Sequence, residues 1–257
     1  MKLAYKDIGK GKTVVFIHSY LWDKDMWLPQ LNLLKDSFRC IAIDLPGHGD
    51  SEKNSNIIDL KNLAEIIKNT LDNLNVDSYT YVGLSVGGML APYLYQLDKD
   101  RIEKIIIMDS FSGTEPEQTK NLYFSMLDTI EKSRKIPDQL VERIAPIFFT
   151  PMIDKNGELF LNFKEKLQNL PEDKIDTIVN LGRVIFGREN SLQLLNSIEV
   201  PTYFITGEYD LPRPFYEAEM MKKEVKNSKI YRIKKAGHIS NLENPRKVNS
   251  IFKNILK

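Results

Sequence analysis

The run Tyr79-Thr80-Tyr81-Val82-Gly83-Leu84-Ser85-Val86-Gly87-Gly88-Met89 constrains this chain more than any other stretch. A β-branched and aromatic segment enters Gly-x-Ser-x-Gly-Gly and leaves into a helical pattern, the form of a sharp strand-to-helix turn with a serine at its tip. Such a turn holds the serine in a cramped backbone conformation, and glycines two residues either side let strand and helix approach without a Cβ clash. Ser85 is therefore the first candidate nucleophile. The pentapeptide alone also fits an ordinary strand-to-helix connection, so the rest of the chain has to decide.

Around this turn the chain alternates. Thr13–Ile17, Cys40–Leu45, the run through Val82, Ile105–Met108 and Thr202–Thr206 are strand-like and apolar on both faces, the pattern of central parallel strands covered by helices. Leu60, Leu63, Ala64, Ile67, Leu71 and Leu74 follow helical spacing behind an Asp59 cap, as do Val248, Ile251, Phe252, Ile255 and Leu256 after Asn244-Pro245. Leu3 to Ile8, the Gly9-to-Lys12 turn and Thr13 to Ile17 read as strand, turn, strand. The expected class is α/β, with a mostly parallel central sheet of about six to eight strands flanked by helices. From 112 to 196 the alternation breaks into successive helical patterns punctuated by Pro137, Pro151 and Pro171. We expect residues 1–111 and 197–257 to form the core and 112–196 an all-helical insertion over the C-terminal edge of the sheet, where open α/β sheets bind ligands.

Composition removes several function classes. Lys and Arg number 36 against 35 Asp and Glu, so no excess charge points to nucleic acid or an anionic membrane. No run approaches the ~18 apolar residues of a membrane helix, and the opening residues lack the apolar core of a signal peptide, so a cytoplasmic location is expected. Three separated histidines and a single cysteine, Cys40, give no metal-ligand spacing. There is no phosphate-cradling glycine loop after the first strand, and the chemistry is expected to need no metal or cofactor.

A serine hydroxyl is a weak nucleophile and needs a base within hydrogen-bond reach, with an acid behind it. His238 lies in Ala236-Gly237-His238-Ile239, between the strand-like Lys229–Ile233 and the last helix, and Asp210 lies in Gly207-Glu208-Tyr209-Asp210 after the Thr202–Thr206 strand. The order Ser85, Asp210, His238 is the chain order of one hydrolase class and not of two unrelated serine-protease classes. Asp109, at the end of another strand, is the rival acid. His18 and His48 sit in turn motifs.

Over nearly its whole length the chain resembles the α/β-hydrolases. His18-Ser19-Tyr20 is similar to that family's oxyanion loop, Asp44-Leu45-Pro46-Gly47-His48-Gly49-Asp50-Ser51 to its Asp-x-x-Gly-x-Gly-x-Ser turn, and the Asp210, His238 and Asn244-Pro245 segments to its acid, base and closing-helix segments. The resemblance implies Ser85 as nucleophile, His238 as base, Asp210 as orienting acid, and the backbone N–H groups of Tyr20 and Val86 as oxyanion donors. Ser19 stands where the family usually has glycine; if that position needs a positive φ, Ser19 is strained. Leu21, Trp22, Phe111, Phe148, Phe149, Leu211 and Ile239 are the expected pocket residues, and Trp27 is expected to be plain core.

The implied activity is hydrolysis of a carboxylic ester or related small acyl substrate through an acyl-enzyme, by a monomer or homodimer. Tyr20–Trp27 also resembles the corresponding loop of cofactor-free haloperoxidase-like carboxylesterases, although Leu21 replaces their usual proline. Alternatives are a C–C bond hydrolase or lyase using the same three residues, and a small-molecule receptor or stress-signalling protein that retains them for sensing.

Overall fold

A computed structural model describes residues 1–257. The chain begins with β1 (Tyr5–Ile8) and β2 (Lys12–Ile17), then α1 (Leu28–Leu34), β3 (Phe38–Ile43) and α2 (Leu60–Asn73). β4 (Tyr79–Leu84), α3 (Val86–Asp98) and β5 (Ile102–Met108) follow. The sequence dictates these elements locally. Asp59 caps α2 by accepting the Asn62 N–H at 2.7 Å, and the 3–4 spaced Leu60, Leu63, Ala64, Ile67 and Leu71 are all buried. All six residues of β4 are buried, as an apolar strand covered on both faces must be.

Between β5 and the next strand the chain makes only helices: α4 (Glu117–Ser133), α5 (Asp138–Ile144), α6 (Glu158–Gln168) and α7 (Ile175–Phe186), with short 3-10 turns between them. The alternation resumes with β6 (Thr202–Gly207), α8 (Phe215–Glu224) and β7 (Ser228–Ile233), and the chain closes with the single turn α9 (Ser240–Glu243) and α10 (Pro245–Ile255). Asn244 caps α10, Pro245 opens it, and Val248, Ile251, Phe252 and Ile255 are buried. Phe252 is fully buried and meets Phe16 of β2 at 6.4 Å between ring centroids, so truncating it to alanine leaves a cavity and costs roughly 3–5 kcal/mol.

The seven strands form one sheet in the order β1-β3-β2-β4-β5-β6-β7, parallel except for β1. The opening strand, turn and strand do not pair with each other. β3 and β4 occupy both edges of β2, so β1 crosses to the outside and pairs antiparallel with β3, Tyr5 opposite Ile43. No helix is long and apolar enough to cross a membrane. The C-terminal ends of β2, β4, β5 and β6 converge on one sheet edge, and each delivers a polar residue there: His18, Ser85, Asp109 and, a short loop later, Asp210.

Candidate active site

Ser85 sits between β4 and α3 with φ 56° and ψ −115°, a conformation a serine adopts only when its surroundings force it. The forcing is visible in the flanking glycines. A Cβ at Gly83 would lie 2.2 Å from the Gly87 carbonyl oxygen, and one at Gly87 would lie 2.4 Å from the Ile17 carbonyl oxygen. Strand, turn and helix pass too closely for any side chain, and the serine is pushed to the apex.

His238 Nε2 lies 2.9 Å from Ser85 Oγ, and its Nδ1 lies 3.0 and 3.1 Å from the two Asp210 carboxylate oxygens. The Arg213 backbone N–H donates to Asp210 Oδ1 at 3.0 Å, fixing the carboxylate's orientation. All three side chains are buried. Burial pushes the His238 imidazole below its ordinary 6.5, with Arg213 in the same direction and Asp109 opposing; burial also pushes the Asp210 carboxyl up, against the Arg213 N–H. A neutral imidazole with Nδ1–H donated to Asp210 leaves the Nε2 lone pair facing the serine hydroxyl. Such a pair can take the serine proton, and the imidazolium so formed gains a carboxylate in contact.

Asp109 is not in that chain. It is fully buried, with φ 46°; its Oδ1 accepts the Gly207 N–H at 2.8 Å and its Oδ2 accepts the Ser240 hydroxyl at 2.6 Å. It ties β5 to β6 and α9, and burial with the nearby Asp210 charge drives its carboxyl toward the neutral form.

The two other histidines brace loops. The Leu45 N–H donates to His18 Nε2 at 2.8 Å and the Leu21 N–H to His48 Nε2 at 3.1 Å, while each Nδ1 faces a carbonyl oxygen, of Ser19 and Pro46 respectively. Burial holds both well below 6.5, at about 4 for His18 and about 3 for His48, so both are neutral as these bonds require. The loop they brace presents the Tyr20 N–H, and the first residue of α3 presents that of Val86. Neither N–H finds an acceptor in the turn and loop hydrogen bonds of the chain. Ser19 is not strained: its φ is not positive, and the left-handed residue is Leu21, φ 65°. The Ser19 hydroxyl is buried without a partner. The Tyr20 hydroxyl donates to the Ile178 carbonyl of α7 at 2.7 Å, tying this loop to the helical segment.

Ser85 and His238 open onto a cavity of about 80 Å³. Of the expected pocket residues, Leu21 and Phe148 line it, whereas Trp22, Phe111, Phe149, Leu211 and Ile239 do not. Trp22 turns away and stacks on Phe163, ring centroids 4.3 Å apart, and Phe149 packs on Phe160 and Phe163. Phe111 folds back against Gly113, Ile239 is core, and Leu211 is 71% exposed. The walls come instead largely from one face each of α4 and α7, through Tyr123, Leu127 and Ile185, with Met89 of α3. The spacing of Tyr123, Met126, Leu127 and Ile130 announces that face, but periodicity does not say what it faces.

Arg213 is the charged lining group that sequence reasoning missed. Its guanidinium pairs with Glu115, which also takes Arg188 at 2.7 Å, and lies 3.6 Å from Glu217. Burial lowers both arginines and raises Glu217.

A parallel sheet with one antiparallel edge strand, a strained serine after its central strand and an all-helical excursion before β6 places the chain in the alpha/beta hydrolase fold family, whose model matches residues 12–245. Among its relatives, 3-oxoadipate enol-lactonase 1 of Acinetobacter baylyi is 28% identical over 245 residues, 95% of this chain and 88% of its own. Pimeloyl-(acyl-carrier protein) methyl ester esterase of Legionella pneumophila is 24% identical over 248 residues, 93% of this chain and 92% of its own. A thermophilic esterase from Thermogutta terrifontis shares the fold with a TM-score of 0.89 at 24% identity, over 99% of this chain and 92% of that one. These relatives support a hydrolase.

Proposed function

We propose that the protein is a serine hydrolase of short, largely apolar acyl esters. The observation that carries the proposal is the unbroken hydrogen-bonded chain from Ser85 through His238 to Asp210, opening on an apolar cavity. Ser85 Oγ attacks the acyl carbon while His238 Nε2 takes its proton, and Asp210 stabilises the imidazolium. The Val86 and Tyr20 N–H groups receive the oxyanion, a contribution worth about 10²–10³ in rate per donor. His238 then protonates the leaving alcohol, and a water activated by the same imidazole releases the acid and frees Ser85.

Cavity size bears on the substrate. An apolar protein cavity of about 150 Å³ admits benzene, and this one measures about 80 Å³. With residues 112–196 as a cap in the position seen, an acyl group of only a few carbons fits, and longer chains require the cap to move.

A second reading, a lactone, is favoured by the enol-lactonase relative. A lactone is an internal ester, so the same steps open it. A panel of p-nitrophenyl esters graded by chain length, run beside simple and carboxylated lactones, separates the two. Esters of two to four carbons should turn over fastest, and Ser85→Ala should abolish turnover and labelling by a fluorophosphonate. Labelling that survives Ser85→Ala overturns the proposal.

A further inference from the structure

Glu243, the last residue of α9, is a half-buried carboxylate with no part in the chemistry described above. Its Oε1 accepts the Thr150 N–H at 2.8 Å and its Oε2 accepts the Gly237 N–H at 2.5 Å. One side chain thus bonds to the loop that carries His238 and to the end of the helical stretch that supplies Phe148. The same two segments touch elsewhere. The Ile239 N–H donates to the Phe148 carbonyl at 3.2 Å, and the Phe148 ring meets the His238 ring edge-on, centroids 5.7 Å apart. A Cβ at Gly237 would lie 2.5 Å from the Thr150 nitrogen and the Phe149 carbonyl carbon, so only glycine lets the two backbones come this close.

Both N–H groups point at a single carboxylate, one at each oxygen, and no neutral side chain of that size offers two acceptor oxygens. Burial raises the Glu243 carboxyl to about 7, with the Asp210 charge adding to the effect and both N–H donors opposing it. A carboxylate retained where desolvation disfavours it is explained by what it holds in place.

We propose that Glu243 is a positioning residue for the hydrolysis: it clamps the His238 loop to the Phe148–Thr150 segment, so that the base is in register with Ser85 only while the cap is seated. The clamp couples cap closure over the acyl group to the orientation of the imidazole. This rests on the function proposed above and adds the residue that makes the base depend on the cap.

The test compares Glu243→Gln and Glu243→Asp with the wild type at pH 8, above the value of about 7 to which burial raises the Glu243 carboxyl. The glutamine variant keeps the shape but turns an amide donor toward one of the two N–H groups; the aspartate variant keeps the charge but is one methylene too short to span both. Three readouts are taken on each: kcat per fluorophosphonate-titrated site, KM for a short p-nitrophenyl ester, and the downfield proton resonance of the His238–Asp210 hydrogen bond. The expected result is a 10- to 100-fold fall in kcat for both variants, with KM changed less than threefold and the resonance broadened or shifted. Variants that unfold at lower temperature but keep wild-type kcat per titrated site and an unchanged resonance show a purely structural role and overturn the proposal. A wild type that neither labels at Ser85 nor turns over esters removes the underlying functional reading instead, so the two failures are told apart.

Discussion

Two buried aspartates compete for the role of orienting acid, and substituting each by asparagine separates them. Asp210 touches His238 Nδ1 at 3.0 Å. Placing the centres of the two charges about 4 Å apart, at the effective dielectric of about 20 that suits protein sites, their attraction is worth about 4 kcal/mol, or about a thousandfold in rate. Asp210→Asn forfeits that attraction in the transition state, where the imidazolium forms. It also lets an amide N–H face Nδ1 and favours the wrong tautomer, which brings the loss toward ~10⁴. Asp109→Asn is different. Its carbonyl can still accept the Gly207 N–H, its amide can donate to the rotatable Ser240 hydroxyl, and no contact with the imidazolium is lost. We expect kcat for p-nitrophenyl acetate to fall about 10³–10⁴ in Asp210→Asn and less than about tenfold in Asp109→Asn. Circular dichroism melts check that both variants fold. A folded Asp210→Asn enzyme within tenfold of wild type, or a thousandfold loss confined to Asp109→Asn, refutes the reasoning.

The pH profile and the ion network supply two further tests. The proposed base must be neutral to act, and burial lowers His238, so its limb in kcat/KM should be centred below 6.5, with a second rise near 7 as Glu243 ionises that Glu243→Gln removes; a limb above 7 that persists in Glu243→Gln contradicts the burial argument. Glu115→Gln leaves two buried guanidinium groups without their shared carboxylate, a loss of roughly 3–5 kcal/mol that should lower Tm by about 10 °C in a scanning melt. A Tm within 2 °C of wild type shows that the network is not needed for folding.

Much of the fold was legible because its signals are local. An apolar run of five or six residues with no polar face has to be a covered strand, and Asp59 and Asn244 in front of 3–4 spaced apolar residues have to open helices. Ser85 was legible for the same reason, since the glycines that crowd it lie within two residues. The pairing of β1 was not. Its sequence specifies a strand and a turn, but which edge remains open to it depends on β3 and β4, both of which come later in the chain.

The cavity walls and the polar groups behind them were hidden by a different limit. Trp22, Phe149 and Ile239 are large, apolar and close in sequence to site residues, yet nearness along the chain does not set direction: Trp22 turns to Phe163 and stacks on its ring. Glu115, Arg188 and Arg213 read singly as ordinary surface charges. Only the fold brings Glu115 to partners 73 and 98 positions away and shuts out water around them. Desolvation then turns them from solvated charges into constraints, because a carboxylate or guanidinium that cannot reach water must keep its partner. The same holds for Glu243, whose two acceptors matter because Thr150 and Gly237 have nowhere else to donate. Residue type and spacing supply the proposed nucleophile, base and acid, whereas whatever holds them in register is decided by which polar groups the packing deprives of water.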